Sequence, residues 1–208
     1  VPVVVFPQGR TLGGGCEMTM HADRAVAAAE TYIGLVEVGV GLIPGGGGTK
    51  EFTKRVSDSI EDGDIELNSL QNALMNIATA KVATSAQEAR EMGILRSFDQ
   101  VSMNRDRQIA DAKLAVLELA DAGYTMPQQA KNIKVQGRSG LALFMAGLSG
   151  MRMGKYISEH DMKVSMKIAN IMCGGDLTSP QEVTEQYLLD LEREAFVSLT
   201  GEKKTLER

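Results

Sequence analysis

The chain has 208 residues, 43% of them hydrophobic and 24% charged, with a formal net charge of -5. That length favours one domain, or one domain with an appendage, and suffices to bury a core. A net negative charge without any long basic run argues against a nucleic-acid partner, and no apolar run approaches the ~20 residues of a membrane span. The two cysteines, Cys16 and Cys173, stand in apolar or helical surroundings, which suits reduced thiols in a cytoplasmic protein better than a disulfide scaffold. The opening Val-Pro-Val-Val-Val-Phe shows no charged leader and no small-residue cleavage site.

Val1 to Phe6 is short, β-branched and apolar, the pattern of a strand buried on both faces. Such a strand needs neighbours on both sides, and the chain begins inside it. It is therefore expected to be a fragment, or to borrow its upstream part from a partner. Gln8 to Leu12 leads into Gly13, Gly14 and Gly15, and a helix is expected at once, through Glu17 to Ala22. Further strands are predicted at Arg24 to Ala29, Tyr32 to Leu35 and Ser97 to Val101. Between them, Pro44 and four glycines open a helix over Thr49 to Val56. Ser57 to Asn68, with Asp62-Gly63-Asp64 at its centre, is acidic and polar and reads as a surface loop. Leu70, Ala73, Leu74 and Ile77 recur at helical spacing, and Ser85 with Glu88 forms a capping-box pair for a short helix ended by Gly93.

The remainder is read as nearly all helix. Asn104 caps Arg105 to Ala122, Gly123 closes it, and Tyr124 to Arg138 is a connection containing Pro and Gln. Leu141 to Tyr156 is apolar, and Ser158 with Asp161 caps a helix to Cys173 that Gly174-Gly175 stops. Ser179, Pro180 and Glu182 look like the start of a last helix, with Val183, Tyr187, Leu188, Leu191, Ala195 and Phe196 on one stripe. The division is thus a strand-and-glycine part, residues 1–103, and a helical part, residues 104–208.

The stretch Gly13-Gly14-Gly15-Cys16-Glu17 concentrates the chemistry. Glycines admit close approach of another group, and the unpaired amides and positive dipole end of the following helix could hold a developing negative charge. Glu17 has a plain alternative, since acids in a first helical turn interact favourably with the dipole. Glu37 is a lone carboxyl in the apolar run Leu35-Val36-Glu37-Val38-Gly39-Val40, so it either turns to solvent or is buried with a raised pKa. Two carboxyls in one dry pocket would share a proton, the arrangement that acid and base work on one water requires. His21, four residues after Glu17, reads as a helix-surface histidine, and no metal site is expected. Six of the twelve methionines fall between Met145 and Met172; they could line a flexible acyl pocket or an interface, but core filling is the commoner use. Lys131, Lys134 and Arg138 could meet a phosphate, but a solvated loop is the commoner reading. Neither glycine run fits Gly-x-Gly-x-x-Gly, and Gly48-Thr49-Lys50 reverses the order of a P-loop, which excludes nicotinamide binding and nucleotide hydrolysis.

PQGRTLGGGCEMTMHAD followed by AAAETYIGLVEVGVGLIPGGGGTKEF resembles the signature of the enoyl-CoA hydratase/isomerase family, the crotonases. The likeness is strong over residues 1–54, weaker through Ile77 to Val101, where the stretch Ala89 to Leu95 recurs in the family, and weak beyond. Together with the ending LDLEREAFVSLTGEKKTLER, the match resembles the hydratase portion of fused bacterial 3-hydroxyacyl-CoA dehydrogenase/enoyl-CoA hydratase polypeptides of fatty-acid β-oxidation. The resemblance implies an α/β fold, the C-terminal part of a crotonase (ClpP/crotonase-like ββα spiral) fold with an extended all-helical C-terminal region. It implies that Gly14 supplies half of an oxyanion hole and that Glu17 and Glu37, twenty residues apart, position the water. Gly13, Pro44, Gly45 and Gly46 would contact an acyl-CoA thioester. CoA enters as part of the substrate, with no other cofactor. The partner would be a second copy, as a trimer or dimer, or the upstream part of the same polypeptide. The family's other oxyanion amide lies upstream of this sequence. Loss of one such donor costs about 2.7 to 4 kcal/mol, so the isolated chain is expected to be inactive. An isomerase of the same family and a non-catalytic structural or oligomerisation fragment are the alternatives.

Overall fold

The computed structural model describes residues 1–61 and 66–208, so Asp62, Gly63 and Asp64, the predicted centre of a loop, lie outside the described residues. The elements in chain order are β1 Val4–Val5, β2 Arg10–Leu12, α1 Gly14–His21, β3 Arg24–Ala28 and β4 Tyr32–Gly34, then a 3-10 turn, Glu37–Val40. Helices α2 Gly48–Ser59, α3 Glu66–Ala78 and α4 Ala86–Glu91 follow, then β5 Gln100–Ser102, a 3-10 turn Arg105–Arg107 and α5 Gln108–Asp121. The last stretch is β6 Ile133–Val135, α6 Gly137–Met153, α7 Glu159–Met172, β7 Gln181–Val183, α8 Glu185–Thr200 and α9 Lys203–Leu206. Ser57 to Ser59 therefore end α2 and Glu66 to Asn68 begin α3, so the flanks of the predicted loop are helical.

The chain forms two compact units, Val1–Leu35 with Val82–Gln128, and Val36–Lys81 with Gln129–Arg208. In the first, β3 lies between β1 and β5, all parallel. Its central place explains why Ala25, Val26 and Ala27 are buried, as a parallel strand covered on both faces requires. The expectation that Val1 to Phe6 forms such a strand is not met. Only Val4 and Val5 pair, at the sheet edge, while Val1, Val3 and Phe6 are exposed. Pro2 and Pro7 lack amides for a longer ladder, and the Val3 carbonyl accepts from Asp23 N at 3.0 Å instead. Helix α5 packs Ala112 and Ala115 against Val26 and Val4. The buried Gln108 Nε2 ties it down by donating to the carbonyls of Pro7 (3.0 Å) and Val26 (2.9 Å).

A second pair, β2 with β4, runs parallel in the register Arg10↔Tyr32, Thr11↔Ile33 and Leu12↔Gly34. It delivers the chain to the glycine turn, a role for residues 10–12 that local pattern did not suggest.

The second unit is built around α7, which touches α2, α3, α6 and α8 and buries Val164, Ile168, Ala169, Ile171 and Met172. Its predicted capping box is present, with Ser158 Oγ accepting from Asp161 N at 3.1 Å and Asp161 Oδ2 accepting from Ser158 N at 3.0 Å. Two strands correct the all-helical reading: β6 and β7 pair antiparallel, Ile133 opposite Val183. The predicted helix start at Ser179 therefore falls short, and α8 begins later, where Thr184 Oγ1 accepts from Tyr187 N at 3.1 Å. Ile133, Val135 and Leu188 form a buried cluster beneath the strand pair. No helix among the described residues is long and apolar enough to cross a membrane.

Candidate active site

In the first unit, Gly13 stands at φ 57 and ψ -124, a conformation that a Cβ disfavours. It turns the end of β2 into α1. Its amide donates to Gly34 O at 3.0 Å, and its carbonyl accepts from Glu17 N at 3.0 Å. Gly14 opens the helix, so its N–H is among the four first-turn amides without an intrahelical acceptor. It is exposed, and open space surrounds the position a Cβ would take. A side chain on Gly15, in contrast, would stand 3.4 Å from Thr11 Cγ2. Cys16 and Met20 face the core, and Glu17 is buried with them at 7% exposure. His21 is exposed and its Nδ1 donates to Glu17 O at 2.7 Å, the surface role expected of it.

In the second unit, Glu37 opens its 3-10 turn half-buried, with Oε2 out of solvent. Gly41 closes the turn at φ 76, its amide donating to Val38 O, while Leu42 N donates to Glu37 O. Pro44 is buried, and Gly45 and Gly46 are exposed. The turn at Gly47, φ 96, leads into α2. Glu192 of α8, 1% exposed, accepts from Gly47 N at 2.6 Å and from Lys50 N at 3.0 Å. The N-terminus of α2 thus already holds a carboxylate from its own chain. Over Gly45 lies the Phe196 ring, 2.5 Å from where a Cβ would be. Beside these, Lys50 Nζ lies 3.0 Å from Glu51 and 3.7 Å from Glu185. Burial pushes the Glu51 carboxyl up, but the charges of Arg55 and Lys50 and their hydrogen bonds outweigh it and hold it at about 2.

Gly13, Gly14 and Glu17 are therefore brought into one turn of the first unit, and Glu37, Pro44, Gly45 and Gly46 into one stretch of the second. Glu192 and Phe196 are the residues that sequence reasoning missed at these turns. Glu192 had a legible signal: like Glu37 it is a lone carboxyl on an apolar stripe, between Leu188 and Ala195. The methionines divide, Met172 filling core, Met145 and Met153 exposed. Met151 lines a groove of about 390 Å3 with Leu74, Met75, Phe144 and Leu148. Lys131, Lys134 and Arg138 are exposed, but Lys134 stands in β6 and Arg138 in α6 rather than in a loop. Arg138 makes a two-point pair with Asp176 at 2.7 and 2.8 Å. Among the described residues no group of three His, Cys, Asp or Glu is placed to hold a metal ion.

The family profile for enoyl-CoA hydratase/isomerase matches residues 1–168. The chain belongs to the enoyl-CoA hydratase/isomerase family. A Bacillus subtilis protein named probable 3-hydroxyacyl-CoA dehydrogenase is 47% identical over 207 residues, which cover 100% of this chain and 26% of that protein. A Rickettsia prowazekii protein named putative fatty acid oxidation complex trifunctional enzyme is 28% identical over 208 residues, which cover 100% of this chain and 25% of that protein. The chain therefore spans about a quarter of the length of these relatives. A short-chain-enoyl-CoA hydratase of Clostridium acetobutylicum is 29% identical over 79% of this chain and 57% of its own. Among solved structures, one from Acinetobacter baumannii, named for the enoyl-CoA hydratase/isomerase family, superposes with a TM-score of 0.54 at 17% identity, covering 100% of this chain and 62% of that one. The α/β architecture with its helical C-terminal region is that of the crotonase fold.

Proposed function

We propose that the chain carries acid–base chemistry of an enoyl-CoA hydratase, the syn addition of water to a trans-2-enoyl-CoA to give a 3-hydroxyacyl-CoA. The observation that carries this reading is the Gly13 to Glu17 turn, where an exposed amide at an open helix end and a buried carboxylate share one helical turn. Family membership and the retained Glu17 and Glu37 support it. The Gly14 N–H donates to the thioester oxygen as negative charge moves onto it. One carboxylate takes a proton from the water whose oxygen bonds to C3. The C2–C3 π electrons pass into the enolate, and the other carboxyl returns a proton to C2. The pair thus ends with the same number of protons. Gly13, Gly45 and Gly46 border the substrate, with Pro44 shaping the turn. CoA arrives with the substrate, and no metal or redox cofactor takes part. Relatives named for fatty-acid oxidation support placing the step there, within a homo-oligomer or a longer polypeptide. Because double-bond isomerisation needs only one carboxylate, the two glutamates favour hydration.

The test is loss of the conjugated thioester absorbance of a short enoyl-CoA, with Glu17→Gln and Glu37→Gln as controls. In a polypeptide that turns over the enoyl-CoA each change is expected to abolish turnover, and a folded parent chain without turnover would leave the reaction to a longer polypeptide. Activity that survives one of them removes that carboxyl from the mechanism. Conversion of a 3-enoyl-CoA without hydration would replace the reading by isomerisation, and binding of acyl-CoA without turnover by a non-catalytic role.

A further inference from the structure

The 3-10 turn that carries Glu37 is held from outside itself. Thr205 Oγ1, buried, donates to Gly41 O at 2.9 Å, and Arg208 Nη1 donates to Val38 O at 3.1 Å. Both donors are braced by the start of α7. His160 Nε2, on a 4% exposed side chain, stands 2.9 Å from Thr205 Oγ1. Since the single hydroxyl proton goes to Gly41, His160 must supply the N–H of that contact, which fixes Nε2 as its protonated nitrogen. Arg208 Nη2 lies 2.6 Å from Asp161 Oδ1, while Asp161 Oδ2 closes the capping box of α7. Burial pushes the Asp161 carboxyl up, and Ser158 and Arg208 more than reverse this, so it stays below its ordinary value. The fit at the turn is close: a Cβ on Gly41 would stand 3.0 Å from His160 Nε2 and 3.1 Å from Thr205 Oγ1. A turn of four residues has few bonds of its own, so these two external donors decide where its backbone sits.

We propose that Thr205 and Arg208 are positioning residues for Glu37, which transmit the rigidity of α7, through His160 and Asp161, to the turn that bears the carboxyl. The inference rests on the hydratase reading only for its kinetic consequence. Thr205→Val keeps the side-chain shape and removes the donor. Its kcat for hydration should fall roughly 10- to 100-fold, the cost of a displaced reacting group, with KM changed less than about twofold. Thr205→Ser restores the wild-type kcat because the hydroxyl is kept. Unchanged kcat in Thr205→Val would overturn the proposal. If the wild-type chain shows no hydration by itself, amide hydrogen exchange decides the positioning role. Thr205→Val should then speed exchange at Gly41 and Leu42 at least about tenfold while α7 amides keep their protection. Unchanged exchange at those two amides would sink it.

Discussion

Gly14 can be stripped of its amide without losing a helical hydrogen bond. It is the first helical residue after the Gly13 cap, the position where proline is best tolerated because the missing N–H has no partner in the helix. A Cβ there meets no atom within 4 Å. Gly14→Pro is therefore expected to keep the far-ultraviolet circular dichroism and the melting temperature of the parent, while hydration falls about 10²- to 10³-fold, as when one oxyanion donor is removed. Unaltered turnover in a folded Gly14→Pro protein would exclude this amide from the mechanism. A second single-residue effect is linked to pH. Glu51, with an ordinary value of 4.5, is held at about 2, so between these values the unfolded chain binds more protons than the native one. The stability it contributes, about 3 kcal/mol by linkage, is complete above pH 4.5 and is lost as pH falls toward 2. Urea unfolding of the parent should show a loss of about 2 kcal/mol between pH 6 and pH 3 from this group. Glu51→Gln should lack that part of the loss.

At the scale of elements, α2 is capped by a side chain from α8. Glu192 accepts from two buried amides, and bonds of this charged kind are worth about 1.5–3 kcal/mol each while an orphaned buried donor costs about 1–3. Glu192→Ala is expected to lower unfolding stability by about 2–4 kcal/mol. Glu192→Gln, which keeps one acceptor oxygen, should lose less. Equal stability of the three proteins would show that water replaces the cap. The same contrast between local and distant partners explains what could be read from sequence. Helices with their own caps were legible: Ser85 Oγ accepts from Glu88 N at 3.1 Å, Ser158 and Asp161 close their box, and Gly93 and Gly174 stand at φ 78 and 81. The Gly13 to Glu17 turn was legible for that reason, since Glu17 N closes on Gly13 O four residues earlier. Strands β2, β6 and β7 were not, because they lack the apolar runs that mark β3 and β4 and their stability comes from partners such as Val183 for Ile133. At β7 the local signal misled: Ser179, Pro180 and Glu182 have the chemistry of a helix start, and pairing with β6 overrides it. Glu192 and Thr205 act on atoms 145 and 164 residues away, a reach that no spacing rule in the sequence encodes.

At the scale of the whole chain, neither compact unit is continuous in sequence. The backbone passes between them at Leu35–Val36, Lys81–Val82 and Gln128–Gln129. The last passage follows α5, where Thr125 to Gln129 are exposed and outside any helix or strand, the conditions for native-state nicking. A cut there leaves both segments of the first unit on the N-terminal fragment, but divides the second between two polypeptides. Helices α2 and α3 stay on one, and α6 to α9 go with the other. Helices α3 and α7 are in contact. Leu74 and Ile77 are buried on α3, and Val164, Ile168 and Ile171 on α7. Burial of each such side chain stabilises by roughly 1.5–3 kcal/mol. The charged cap of Glu192 on Gly47 and Lys50 spans the same division. Brief treatment with a broad-specificity protease should therefore yield a nick within residues 125–129. The two fragments should co-elute at the size of the uncut chain in native buffer, and separate only when urea is added. Fragments that part in native buffer would show that the second unit depends on chain continuity rather than on its side-chain core. Cleavage found first at Leu35–Val36 or Lys81–Val82 would show that exposure at 125–129 does not set where the native chain opens.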